Sequence, residues 1–269
     1  MKSGTNWLGG LLDRHPEISC RGEYHWELIL KPLVERSPLM IQTREDASLK
    51  ETIKHVRGAI RRAMVALSDP NATVIGDRTP HTISPVVLPV PHIVIVRDGR
   101  DILVSRAFHF FNSPKYTSLF QRSQAAAESL REFQNNKWYF KENPERLLEN
   151  RELVETTAQW WVDQQNRDRQ VVAASPKLPV RFVRFEDLLV DTQRLSDELL
   201  EFLEVDPSLA PPIEGGLRPG FETENPDQFF RKGAAGDWKN YFTDQTTAWF
   251  KKLAGEELIR QGYENDLSW

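Results

Sequence analysis

With 269 residues, 39% of them hydrophobic and 10% aromatic, the chain can bury a substantial core and has the composition of a globular enzyme. A net charge of −4 argues against a general nucleic-acid coat, and the single cysteine, Cys20, excludes an internal disulfide and a cysteine-based zinc site. No apolar run approaches the roughly 18 residues of a membrane span, and no signal peptide precedes Lys2, so a cytoplasmic protein is the expectation.

The chain opens on Lys2-Ser3-Gly4-Thr5-Asn6, a cation, a glycine, hydroxyls and an amide in five residues. Trp7, Leu8, Leu11 and Leu12 follow at helical spacing. A loop feeding a helix N-terminus offers free N–H groups and a positive dipole end, which suits an anion. The run lacks the Gly-x-x-x-x-Gly-Lys-Ser/Thr spacing of a Walker A loop, and alone it reads equally as a surface turn.

Further along, 56–67 predicts a helix with an apolar stripe. "ATVIGDRTP" and "PHIVIVRDGRD" each show a β-branched run ending in polar residues, the pattern of a buried strand with a functional loop at its C-terminal end. Helical spacing returns at 101–111, where Asp98 or Asp101 can cap. A helix is predicted at 152–170, a strand at 180–189, and helices at 195–203 and 247–261. Strands alternating with helices predict an α/β sandwich with a mainly parallel sheet, with ligands beyond the strand C-termini.

Two more clusters carry chemistry. In "IVIVRDGRDILVSRAFH", Arg97 ends an apolar strand and Ser105 lies two helical turns on. The arginine could close a salt bridge with Asp98 or Asp101, or hold a phosphate bidentately. In "FFRKGAAGDWKNYFT", Arg231 and Lys232 precede Gly233 and Gly236, a flexible basic loop with aromatic surface.

Lys-Ser-Gly-Thr before a helix, Arg-Asp-x-x-Asp-x-x-x-Ser after a strand, and Arg-Lys-Gly-x-x-Gly-Asp-Trp-Lys near the end resemble the sulfotransferases that use 3′-phosphoadenosine-5′-phosphosulfate (PAPS). The motifs occur in the family's order over about 240 residues. The likeness is to bacterial-type members, with features of the cytosolic and tyrosylprotein branches. It implies one sulfotransferase domain over 1–269, a single-domain three-layer P-loop-like sandwich with a mainly parallel central sheet flanked by helices. In the family a short buried strand precedes the opening loop; here that strand is expected to be missing, as in a truncated chain.

The resemblance also implies roles. Lys2, Ser3, Gly4, Thr5, Asn6 and Trp7 would hold the 5′-phosphosulfate, and Arg97, Ser105, Arg231, Lys232 and Gly233 the 3′-phosphate. Phe185 falls where the family carries an aromatic near adenine, and it reads equally as a core residue. Sulfuryl transfer passes through a loose in-line transition state, and Lys2 would stabilise charge on the leaving oxygen. No metal is implied, and no metal-ligand spacing occurs: His15 and His25 are too far apart for a helical pair.

The acceptor hydroxyl must lose a proton. Glu23, in "HPEISCRGEYHWE", matches the glutamate base of the tyrosylprotein and carbohydrate branches. Such a base needs a pKa raised by partial burial, with Tyr24 and Trp26 as available cover. His81, in "GDRTPHT", lies near the histidine base of the cytosolic small-molecule branch, while Arg78 matches a branch whose loop carries a cation. The order of candidates is Glu23, His81, His25, and each histidine also reads as structural. The acceptor is a small-molecule, carbohydrate, lipid or peptide hydroxyl, with no nucleic-acid partner, no membrane span and no oligomeric state indicated. The alternative is a catalytically silent module that binds 3′-phosphoadenosine nucleotides.

Overall fold

The computed structural model describes residues 3–26, 28, 30, 46–80, 83, 90–213 and 233–269, with backbone alone at 46–50. These fall into two compact units. The first takes in 5–95 and 167–213, the second 3–4, 96–166 and 233–269.

In the first unit, helix α1 (Thr5–Leu12) buries Trp7, Leu8, Leu11 and Leu12. Strand β1 (Ile18–Gly22) follows, then helix α2 (Asp46–Leu67) and strand β2 (Val74–Asp77). β1 and β2 run parallel, with Ile18 opposite Val74 and Gly22 opposite Asp77. Their close approach depends on Gly76, because a Cβ there would meet the Cys20 sulfur at 2.9 Å. Burial, with Asp13 beside it, pushes the Cys20 thiol up to about 12, so it stays protonated and unreactive near neutral pH.

Strand β3 (His92–Val96) pairs with β4 (Val180–Arg184). The strand expected over 180–189 stops at Arg184, and Phe185–Val190 forms helix α6. Glu186 and Asp187 stand in that helix's first turn, where acidic groups favour the positive dipole end, and this outweighs the apolar character of Leu188 and Leu189. Helix α7 (Thr192–Phe202) starts on Asp191, whose carboxylate accepts the Arg194 N–H, and it buries Leu199 and Leu200. These leucines join Trp7, Leu8, Leu11, Ile18, Ile95, Val183, Phe185 and Leu188 in one core.

The second unit is built on helix α3 (Gly99–Asn112), which begins two residues before the expected 101 because Asp98, one of the two candidate caps, is its N-cap. Helix α4 (Gln124–Asn135) is capped by Ser123, helix α5 (Arg151–Ala174) belongs to this unit as far as Asn166, and helix α8 (Asp244–Arg260) starts on the Thr243 hydroxyl. Phe108, Phe111, Phe120, Phe133, Phe140 and Phe250 fill the core. A buried side chain of this size contributes about 1.5–3 kcal/mol, so these rings dominate the unit's stability. Among the described residues no helix is long and apolar enough to cross a membrane.

Candidate active site

The first unit gathers candidate residues at the C-terminal ends of β1 and β2. Glu23 follows directly on β1. The next backbone is fixed from β2: Asp77 Oδ1 accepts the Tyr24 N–H at 3.1 Å and the Thr79 hydroxyl at 2.8 Å, and Thr79 Oγ1 accepts the His25 N–H at 3.0 Å. His25 is thereby held at φ +53°, a left-handed conformation uncommon for a residue with a side chain. Its Nε2 lies 4.0 Å from Glu23 Oε2, with the two side chains 36% and 40% exposed. Tyr24 and Trp26 stack on each other at 5.6 Å, and the Tyr24 ring lies where a Cβ on Gly22 would stand. Glu23 is therefore more open than the apolar cover expected from the sequence.

Arg78 extends from the end of β2 across α1. A Cβ on Gly9 would meet its Cδ at 2.1 Å, which accounts for glycine inside a helix that pays for it in propensity. The Arg78 Nη2 donates to the Arg21 carbonyl at 2.8 Å. Trp7 Nε1 and Arg78 Nε are buried donors without a hydrogen-bond partner among the described residues. The Trp7 ring meets Phe185 edge-on at 5.5 Å, and Phe185 is 1% exposed, a core-like position. Thr5 and Asn6 are partly exposed in the first turn of α1, which carries no acidic side chain.

His15 is structural. Its Nδ1 accepts the Glu17 N–H at 3.2 Å, so the proton sits on Nε2, which donates to the Asp206 carbonyl at 2.9 Å.

In the second unit, Ser3 is buried and Gly4 stands at φ +101°, a conformation that glycine alone adopts at no steric cost. Arg97, following β3, is buried and donates from Nη2 to the Ala234 carbonyl at 2.9 Å. Its own carbonyl accepts the Trp161 indole N–H at 3.2 Å. The indole gets that close because position 99 is glycine: a Cβ there would meet the ring at 2.6 Å. Asp98 caps α3 and binds the Arg100 guanidinium, which also pairs with Glu264 and lies over Trp238 at 3.9 Å. Ser105 is half-buried on α3, and Gly233 turns at φ +59°.

Sequence reading offered Asp98 or Asp101 as the cap, and the structure divides the work. Asp98 caps, while Asp101 accepts the Gly236 N–H at 2.7 Å and the Trp238 N–H at 2.9 Å. Burial raises the Asp101 carboxyl to about 6, against the opposing pull of Arg97 and these N–H groups. No local sequence signal marks this second role, since its partners lie 135 and 137 positions away. Lys2, His81, Arg231 and Lys232 lie outside the described residues.

A profile of the sulfotransferase domain matches residues 1–262. The chain belongs to the sulfotransferase domain family. As such it is an enzyme of sulfuryl transfer. The chain is also similar to a mouse sulfotransferase crystallised with PAP, at 18% identity and a TM-score of 0.49, covering 96% of this chain and 81% of that one. No curated protein matches it.

The residues present fit the donor that a sulfotransferase of this class requires. The Gly4 turn enters α1 without an acidic residue in the first turn, and Trp7 Nε1 and Arg78 Nε are buried donors left open among the described residues. Arg97 and the Gly233 turn come together in the second unit through Ala234. Free N–H groups and guanidinium forks suit sulfate and phosphate oxygens.

Proposed function

We propose that this sulfotransferase transfers the sulfuryl group of PAPS to the hydroxyl of a small-molecule, carbohydrate, lipid or peptide acceptor, with Glu23 as general base. The observation that supports the donor most is the contact from Arg97 Nη2 to the Ala234 carbonyl at 2.9 Å. It joins two motifs that are 137 positions apart in the chain, each of which reads as a phosphate grip.

When bound, the donor supplies an activated sulfuryl group on a 5′-phosphate. The chain's residues then divide the task. Ser3, Gly4, Thr5 and Asn6 present N–H and hydroxyl donors to the 5′ end, and Lys2 neutralises charge at the leaving oxygen. Trp7, steadied by Phe185, closes the apolar side of α1. Arg97, Ser105, Arg231, Lys232 and Gly233 take the 3′-phosphate, because charge-assisted and bidentate contacts are the strong ones for a dianion. Glu23 Oε accepts the hydroxyl proton as the acceptor oxygen bonds to sulfur, and Arg78, at the end of the neighbouring strand, keeps a cation close in sequence to the Thr79–Pro80 turn.

The test is a ³⁵S-labelled donor incubated with panels of phenols, sugars, lipids and peptides. Labelled product in one panel names the acceptor class and is the expected result. Donor binding with no product in any panel would instead assign a silent nucleotide-binding module.

A further inference from the structure

Asp101 is 1% exposed in the first turn of α3, and it is not the helix cap. A carboxylate removed from water must be compensated by hydrogen bonds or an ion pair, and the groups that compensate it reveal what it holds. Here they are two backbone N–H groups of one distant loop, Gly236 at 2.7 Å and Trp238 at 2.9 Å, with the Arg97 charge alongside. Arg97 donates to a third station of the same loop, the Ala234 carbonyl at 2.9 Å. Arg97 and Asp101 together therefore hold residues 234–238 at three alternate positions.

Side-chain packing does not explain the loop's shape at its turn. Gly236 stands at φ +77°, and a Cβ there would meet nothing within 4 Å. The conformation is held by the hydrogen bonds to Asp101 and, just beyond, by the Trp238 ring over Arg100. Directly N-terminal to this segment in sequence stand Gly233, Lys232 and Arg231.

We propose that Asp101 is a positioning residue for recognition of the 3′-phosphate: by taking the Gly236 and Trp238 N–H groups, beside Arg97 on the Ala234 carbonyl, it holds the Gly233–Trp238 turn against Arg97. The inference rests on the PAPS reading of the donor. It assigns Asp101 an action through the loop and not through contact with the nucleotide. A role in fold stability alone would affect every ligand equally, whereas a loop-positioning role affects only ligands that carry a 3′-phosphate.

The experiment is calorimetric titration with adenosine 3′,5′-bisphosphate and with adenosine 5′-monophosphate, which lacks the 3′-phosphate. Wild type should prefer the bisphosphate. In Asp101→Asn, where an amide replaces one acceptor with a donor facing an N–H, bisphosphate affinity should fall by about tenfold or more, with the monophosphate affinity within about twofold of wild type. Gly236→Ala leaves the buried carboxylate intact and adds a side chain in open space at a left-handed φ, so it meets no clash, strains only the turn itself and should show the same selective loss. Equal losses for both ligands, or no loss for the bisphosphate in either variant, would overturn the positioning role while leaving the donor reading standing. A wild type without preference for the bisphosphate would sink both.

Discussion

The end of β1 and the start of α3 both present charge, in opposite styles. At the start of α3, Asp98, Arg100 and Asp101 are almost wholly removed from solvent, each held by defined hydrogen bonds or ion pairs. At the end of β1, Glu23 and His25 are 40% and 36% exposed and meet only at 4.0 Å. The contrast fits the two tasks proposed for these regions. A grip for a fixed dianion gains from preorganisation, because the cost of arranging its charges is met on folding. A proton acceptor has to meet a second substrate that comes and goes, and an open carboxylate on a fixed backbone serves it.

If the exposed end does chemistry, Glu23→Gln should lower turnover by about 10²–10⁴-fold with donor affinity nearly unchanged. Steady-state rates with labelled donor, paired with bisphosphate titration, check this. His81→Ala should be milder, and wild-type rates in Glu23→Gln with loss in His81→Ala would move the base to His81.

The buried end should show itself in pH dependence. Asp101 is raised to about 6 by burial, with Arg97 and Asp98 as its charged neighbours, and burial raises Asp168, which accepts the Ile83 N–H, to about 6 as well. A carboxyl whose folded pKa exceeds its unfolded value near 3.8 contributes stability that is full below pH 3.8 and lost as pH rises through about 6. A shift of this size corresponds to up to about 3 kcal/mol each. Thermal melts between pH 4 and 7 should therefore slope less in Asp101→Asn and Asp168→Asn than in wild type. Bisphosphate affinity should move the other way, rising as Asp101 ionises and accepts both loop N–H groups, and parallel curves would break the assigned link between Asp101 and the loop.

Arg231→Ala and Lys232→Ala should each weaken bisphosphate binding by about 1.5–3 kcal/mol, the range for a charged hydrogen bond, with less effect on the monophosphate. The smallest change expected is in His15→Ala, which strands the Glu17 N–H and the Asp206 carbonyl. It should cost about 1–3 kcal/mol in urea unfolding and leave donor affinity alone, which separates structural from functional histidines.

Much of this was legible in the sequence because the signals are local. The β-branched runs at 74–77 and 92–96 form strands, and Asp98 caps the helix read from 101–111. β1 was not legible as a strand: Ile-Ser-Cys-Arg-Gly has one β-branched residue, and its partner, β2, lies beyond α2. Helix α4 was passed over although Ser123 and three alanines announce it. At the site, Arg97 and the glycine loop stood out as motifs. Nothing local tells that Asp101 reaches Gly236, since 135 positions separate them and the contact exists only once the chain folds. The same holds for Gly9 and Gly99, whose reason lies in the side chains of Arg78 and Trp161.

The most direct measurement is calorimetric titration of the wild-type protein with adenosine 3′,5′-bisphosphate and, separately, with ATP under the same conditions. A donor site built around the 3′-phosphate should bind the bisphosphate at least about tenfold more tightly than ATP, as expected when a charge-assisted contact is present in one ligand and absent in the other. Equal affinity, preference for ATP, or no binding of the bisphosphate would contradict it.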